Sequence, residues 1–440
     1  MESRPVRILI TDWIPSLNKG ELAILFGILK SFDAIGNVEV SIFSACPEID
    51  SSRYPWNIRI VDVGRNLHIR NPFSQKSNLE AAISSISAML QHILFSMLYV
   101  IIGKNVLRIF RKPIWREYCD SDVIIICHDQ MNFVVGARYM LFCPFYINLM
   151  GKNLKKPTVI YGTGIYKLRK ALIEDLGKYM LRSVDLTTLR EEDSFTYLKS
   201  IAIDKAPIYL TAEPAILMPA ASNSEVKKIA IEEGVEKDSG LLIGVTLSRL
   251  TLLSAYPNCK DPYRKAVMEF ANFFDMLTNN VNAKIVFLPH SIEHYSKGDD
   301  REVAKDVFDS MKNKHNAIMI TKEYSPQELK GLMGTFDMVI GTRVHSIVNA
   351  LCMNVPSIIV SGSPSFMRTN GIVGGTLGQR DWIFPIEKFK PERLYEKVIQ
   401  LLFVRNEVHE KLKIQTKVAY EKAMLNGILL NDLLKSRAKR

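Results

Sequence analysis

The chain has 440 residues, of which 47% are hydrophobic and 23% charged, with a net charge of +11. That length exceeds what one hydrophobic core serves, and the composition excludes a disordered or fibrous polymer, so two globular domains are expected. The positive excess suits anionic substrates or an anionic membrane surface, and a generally basic surface with no specific partner accounts for it as well; nucleic acid is not expected, because no zinc finger, helix-turn-helix or aromatic-basic RNA motif accompanies it. The six cysteines (Cys46, Cys119, Cys127, Cys143, Cys259, Cys352) are scattered without a C-x-x-C pair. This argues for a reducing compartment and against a zinc site or a disulfide framework. Residues 1–5 run directly into the strand-like VRILIT, so no secretory signal and a cytoplasmic location are expected.

Short apolar runs alternate with amphipathic stretches of helix length, the pattern of a parallel sheet covered by helices. The first strand is expected over Val6–Thr11 and a helix over Glu21–Phe32. Between them stands Asn18-Lys19-Gly20-Glu21. A glycine at such a turn lets backbone approach a ligand, and the N–H groups of the helix start favour an anion; a plain structural turn explains the same residues. Strands over Val38–Phe43 and Ile58–Asp62 follow. The stretch from Ala81 to Ile102 then breaks the rhythm, being apolar for about twenty residues, long enough to cross a bilayer. Its apolar residues Ile83, Ile86, Leu90, Ile93, Leu94, Met97, Leu98 and Ile101 recur at helical spacing, and Lys104, Arg108, Arg111, Lys112 and Arg116 follow. Three accounts stay open: a helix packed on its own domain, a helix lying on an anionic membrane over 81–112, and a true span.

Strand Asp122–Cys127 ends at His128-Asp129-Gln130, a candidate ligand contact. After strand Thr158–Tyr161 comes Gly162-Thr163-Gly164-Ile165, expected as a second glycine-rich turn, with a helix over Lys170–Ser183. It does not complete G-x-G-x-x-G, which counts against a nicotinamide or flavin cofactor. Strand Leu186–Leu189 ends at Arg190, expected to point into the crevice at the sheet's carboxyl edge, where its fork suits a carboxylate or phosphate. Glu191–Ser194 then serve the next helix as its cap and first turn. A strand over Ile208–Leu210 closes the first domain, residues 1–225, and the charged stretch Glu225–Lys237 reads as a linker or surface helix.

A second series begins at Leu241–Leu247 and continues with Ala283–Leu288, Ala317–Ile320, Met338–Gly341 and Ser357–Val360, defining a domain over 238–390. Arg249 and His290, which follow the first two of these strands, stand at the sheet's carboxyl edge. The strongest constellation is Gly341-Thr342-Arg343-Val344-His345-Ser346. A lone histidine is usually structural; this one sits two residues from an arginine, at a helix start after a strand, and is suited to proton transfer near neutral pH. Asp299 and Asp300 read as solvated surface. No P-loop, H-E-x-x-H, G-x-S-x-G or kinase signature occurs. Two Rossmann-like halves with an active site in the cleft between them are expected, with helices over 391–440.

Taken in order, these motifs resemble the polysaccharide pyruvyl transferase family: N-x-G-[DE]-x-A-[IL] at Asn18–Ile24, G-x-G-I at Gly162–Ile165, R-E-x-x-S at Arg190–Ser194, a D-P-A-like element at Glu213–Ala215, and R-x-H through [VI]-P at Arg343–Pro356. Two places depart from the family pattern: Cys127–Gln130 stands for a glycine cluster, and Ser361–Phe366 for a Tyr…Lys element. The resemblance implies the two-domain architecture of the B-type glycosyltransferases, with the C-terminal helices crossing back to the first domain. It implies transfer of the enolpyruvyl unit of phosphoenolpyruvate onto two sugar hydroxyls, in cell-surface polysaccharide biosynthesis. Arg190 and Arg343 would then hold the donor and His345 handle protons, with Asn18, Gly20, Gly162, Gly164, Arg249, His290 and Asp129 lining the substrate site. No cofactor and no metal are required. A lipid-linked oligosaccharide acceptor and contact with the inner face of the cell membrane agree with the charge. The competing readings are a nucleotide-sugar glycosyltransferase on the same fold and a non-catalytic sugar-binding protein.

Overall fold

The structure, a computed structural model, describes residues 4–63, 78–127, 130–131, 142–165, 171–201, 203, 207–235, 240–294, 298–362 and 365–438. The chain divides into two compact units. The first comprises Met1–Ser16, Ile28–Pro214 and Lys422–Arg440; the second comprises Leu17–Gly27 and Ala215–Glu421. The division therefore falls at Pro214/Ala215, and the first turns of the N-terminal helix belong with the second unit.

The first unit holds strands β1 (Val6–Ile10), β2 (Val38–Ser44), β3 (Ile58–Asp62), β4 (Val123–Ile126), β5 (Gln130–Met131), β6 (Thr158–Ile165), β7 (Leu186–Leu189) and β8 (Ile208–Leu210), in the order β3-β2-β1-β4-β6-β7-β8 with β5 paired to β6. Adjacent strands run parallel throughout. Such strands are covered on both faces and read as unbroken apolar runs; all four residues of β4, VIII, are buried.

The second unit holds β9 (Leu241–Thr246), β10 (Ala283–Phe287), β11 (Ile292–Glu293), β12 (Gly298–Asp299), β13 (Ala317–Met319), β14 (Met338–Gly341), β15 (Ser357–Ser361) and β16 (Ile383–Pro385). Its main sheet runs β13-β10-β9-β14-β15-β16, and β11 pairs with β12 as a short antiparallel ribbon. With β5 and the β11–β12 ribbon left out and each sheet counted from its own first strand, the second sheet has the doubly wound order 3-2-1-4-5-6 and the first has the same order extended by a seventh strand, β8. A crevice is left at the carboxyl ends where the order reverses. In the second unit that point lies between β9 and β14.

Two expectations change and one is decided. Gly162–Ile165 is not a turn to a helix: it completes β6, and Gly162 takes a positive φ of 58° where the pairing to β7 shifts register. A Cβ there would also meet the Pro214 ring at 2.4 Å, so glycine is required by backbone conformation and by closeness. Of the two readings of the charged stretch after the first unit, linker or surface helix, the helix holds: Asn223–Glu232, with a capping box between Ser222 and Glu225 at its start. Residues 391–438 are one helix, Pro391–Ala438, not several. Its last part belongs to the first unit, where the buried Asn426 accepts from Thr211 Oγ1 at 2.9 Å.

The helix Asn78–Ile102 packs by one face only. His92 is 1% exposed, hydrogen-bonds the Ala88 carbonyl at 2.7 Å and lies among the rings of Trp115, Tyr118 and Tyr146. Burial lowers its pKa from 6.5 to about 4. A histidine depressed in this way favours the folded state above its unfolded pKa, and that contribution fades as pH falls toward the folded one. Stability should drop by about 2 kcal/mol near pH 5 on this account. Thermal denaturation of the wild type and His92→Phe at neutral and acid pH checks it, because the substitution should reduce the acid sensitivity by that amount.

Candidate functional site

Five of the residues singled out in the sequence meet in the second unit. Asn18 caps the helix Lys19–Ser31: its Oδ1 accepts from the backbone N–H of Gly20 at 3.1 Å and of Glu21 at 3.4 Å. The same turn is stitched to the segment after β10. Lys19 N donates to the His290 carbonyl at 2.9 Å, Ile292 N donates to the Leu17 carbonyl at 3.0 Å, and Asn18 bridges Ser291. Gly20 then lies against the imidazole of His345. A Cβ on Gly20 would stand 2.8 Å from His345 Nδ1 and 2.9 Å from its Cβ. The glycine thus serves a close approach of two helix starts, since His345 lies in the first turn of Val344–Cys352.

The second helix start is fixed at the sheet's switch point. Thr342 Oγ1 accepts from Ser248 N at 2.6 Å, and Ser346 Oγ shares a 2.6 Å hydrogen bond with Thr246 Oγ1. Arg343, the N-cap residue, extends to Asp300: Nη2 donates to Oδ1 at 2.6 Å, and Nε contacts both carboxylate oxygens at 3.2 and 3.3 Å. Nη2 also donates to the Gly298 carbonyl at 3.1 Å, leaving Nη1 without a hydrogen bond to the described residues. The Arg343 side chain keeps 22% of its surface exposed and Asp300 only 1%. Asp300 accepts in addition from the backbone N–H of His290 at 3.0 Å and of Ser291 at 2.8 Å. Burial pushes this carboxyl up, and Arg343 with the two N–H donors opposes the shift.

Asp299 and Asp300 are therefore buried, contrary to the solvated loop expected of them. Asp299 caps the helix Asp300–Ser310 and pairs with Arg301, while Asp300 links Arg343 to the His290 loop. Nothing local distinguishes this pair from a surface Asp-Asp; only the strand order brings Arg343 to it. Lys19, too, carries no local sign of its role as a buried cation. It is 2% exposed and its Nζ donates to Glu323 at 2.6 Å.

His290 is fully buried. Its Nε2 lies 3.4 Å from Asn349 Nδ2, and its Nδ1 has no hydrogen-bond partner among the described residues. Burial first, then electrostatic interaction with His345, Arg343 and Lys19, holds its pKa well below the usual histidine range. It is a neutral imidazole able to donate or accept one more hydrogen bond, not a fixed cation.

The other candidates lie elsewhere. Arg249 begins the helix Arg249–Leu253 after β9 and stacks on the Tyr263 ring at 3.8 Å. Arg190, in the first unit, is 0% exposed rather than open to a crevice; its Nη1 donates to Glu213 at 2.8 Å, and Glu213 is equally buried. Gly164 lies against the Glu191 carboxylate, which accepts from Ser194 Oγ at 2.9 Å; Ser194 Oγ in turn accepts from Ile165 N. The arginine, the glycine and the acidic residue of the D-P-A-like element thus form one buried polar group. Ser194 sits inside the helix Glu192–Ser200 instead of capping it. Asp129 lies outside the described residues.

A model of the family described as polysaccharide pyruvyl transferase matches residues 18–364. The chain belongs to this family. The match begins at Asn18 and takes in Arg190, His290, Arg343 and His345. The fold is similar to that of B-type glycosyltransferases and sugar-nucleotide epimerases. A putative UDP-N-acetylglucosamine 2-epimerase from Listeria monocytogenes superposes with a TM-score of 0.60 at 11% identity, covering 99% of this chain and 97% of that one. A glycosyltransferase from Rickettsia africae gives a TM-score of 0.55 at 11% identity over 99% and 98% of the two chains. The UDP-GlcNAc 2-epimerase of Neisseria meningitidis, bound to UDP-GlcNAc, gives 0.54 at 14% identity over 99% of each. Membership of this family indicates a transferase.

Proposed function

We propose that the protein transfers the enolpyruvyl unit of phosphoenolpyruvate to a sugar diol, forming a pyruvate ketal and releasing phosphate. The observation that carries this reading is the meeting of the helix starts at Asn18–Gly20 and Arg343–His345, beside a buried neutral His290, in a chain of this family. Two helix N-termini favour an anion, and Arg343 Nη1 offers one more charge-assisted donor. In balance, the donor methylene takes one proton, the two hydroxyls attack the same carbon in turn, and phosphate leaves with the second proton. His345 is the group proposed to deliver or relay these protons. Asp300 and Glu323 already pair with Arg343 and Lys19, so these cations are held in place by carboxylates and donor binding adds to pairs that exist. The acceptor is proposed to be a sugar or a lipid-linked oligosaccharide met in the cytoplasm, as part of cell-surface polysaccharide synthesis, with no cofactor.

Phosphate release from phosphoenolpyruvate in the presence of candidate sugar acceptors tests the reaction. Arg343→Ala should weaken phosphoenolpyruvate binding by roughly 10-fold or more, the loss of a hydrogen bond to a charged group, as read by calorimetry. Unchanged donor affinity in that variant would remove Arg343 from the donor site, and binding of a UDP-sugar with no response to phosphoenolpyruvate would replace this reading with that of a nucleotide-sugar glycosyltransferase.

A further inference from the structure

We infer that the outward face of the helix Asn78–Ile102 docks on an anionic lipid bilayer, lying in its surface. The inference is independent of the reaction proposed above. Ile83, Ile86, Leu90, Leu94, Met97 and Ile101 follow one another at steps of three or four residues, so they share one face of the helix. All six point away from the protein, at 59%, 51%, 57%, 52%, 57% and 76% exposure. A contiguous apolar stripe left in water marks a surface for a membrane or a partner.

Charge selects the membrane. No Asp or Glu occurs between Glu80 and Glu117, while Lys104, Arg108, Arg111, Lys112 and Arg116 fall in that interval. All five are exposed, as is Ile109 among them at 63%. Of the five, only Lys104 has a carboxylate partner among the described residues, an exposed pair with Asp120 at 3.2 Å, and such pairs contribute little. An apolar helix face continued by a cluster of cations matches the acyl boundary and the headgroups of an anionic leaflet.

The opposite face excludes a span. By hydropathy Ile86–Arg108 is apolar enough to cross a bilayer, yet Phe95 is 0% exposed and stacks on Trp115 at 4.7 Å. His92 is caged by three rings, and Ser96 accepts from Asn153 at 3.0 Å. Crossing would strip these contacts from the first unit. The helix therefore keeps one face on its domain and offers the other.

Sedimentation of the full chain with phosphatidylcholine vesicles, with and without phosphatidylglycerol, tests the proposal. Binding is expected only where phosphatidylglycerol is present and should weaken as salt is raised. Leu90→Glu with Leu94→Glu should abolish it without changing the thermal denaturation midpoint, since both side chains are exposed. Arg108→Ala with Lys112→Ala should lower partition about 25-fold, each basic residue near the surface being worth about fivefold. Three results would overturn the inference: no binding to either vesicle, a self-associated form in sedimentation velocity that the glutamate pair dissolves, or cellular protein that resists alkaline extraction from membranes as a spanning segment does.

Discussion

His345→Ala should lose about 10² to 10⁴-fold in turnover while its affinity for phosphoenolpyruvate, measured directly by calorimetry, stays within a few-fold of wild type. The side chain is held against Gly20 at the meeting of two helix starts, so its removal deletes the group proposed to handle protons and leaves the arginine proposed to hold the donor. Gly20→Ala is the companion variant. A methyl group there stands within 3 Å of the imidazole, so either the ring or the helix start shifts, and turnover should fall although every proposed functional side chain remains. Near wild-type turnover in His345→Ala would remove this histidine from the chemistry; a collapse of donor affinity in the same variant would make it a binding group instead.

Asp300→Ala should cost about 3–5 kcal/mol of folding stability in urea denaturation, the usual effect of deleting one partner of a buried ion pair. Three hydrogen-bond donors converge on this carboxylate, the Arg343 guanidinium and the N–H groups of His290 and Ser291, and alanine leaves all three without their acceptor. Asp300→Asn retains an acceptor and the side-chain shape and should lose less. It separates two roles. If Asp300 only holds the fold, the asparagine variant binds donor normally once folded; if it aims Arg343, donor affinity falls together with that of Arg343→Ala. A stable, fully active Asp300→Ala would show that the pair serves neither.

Much of the fold was legible because a parallel sheet buried on both faces writes its strands as apolar runs. Val123–Ile126, Leu186–Leu189 and Met338–Gly341 stand where periodicity puts them. The R-x-H element was legible for the same reason: a strand end and a helix start are both local signals, and they set Arg343 and His345 side by side.

What local pattern could not reveal is what each side chain meets. Asn18-Lys19-Gly20 looks like a turn of the first half; pairing with residues 290–292, far away in sequence, gives it to the second unit, where Gly20 is needed by His345. Asp300 looked solvated until the strand order 3-2-1-4 brought β14 beside β9 and Arg343 to its carboxylate. Arg190 looked open, yet Glu213, more than twenty residues on, neutralises it in the core. The sequence by itself determined which residues carry charge and which lie at strand ends. Only the tertiary structure decided which charges are paired, because pairing depends on the neighbours that strand order supplies, and for a buried ion the partner decides whether it costs or contributes.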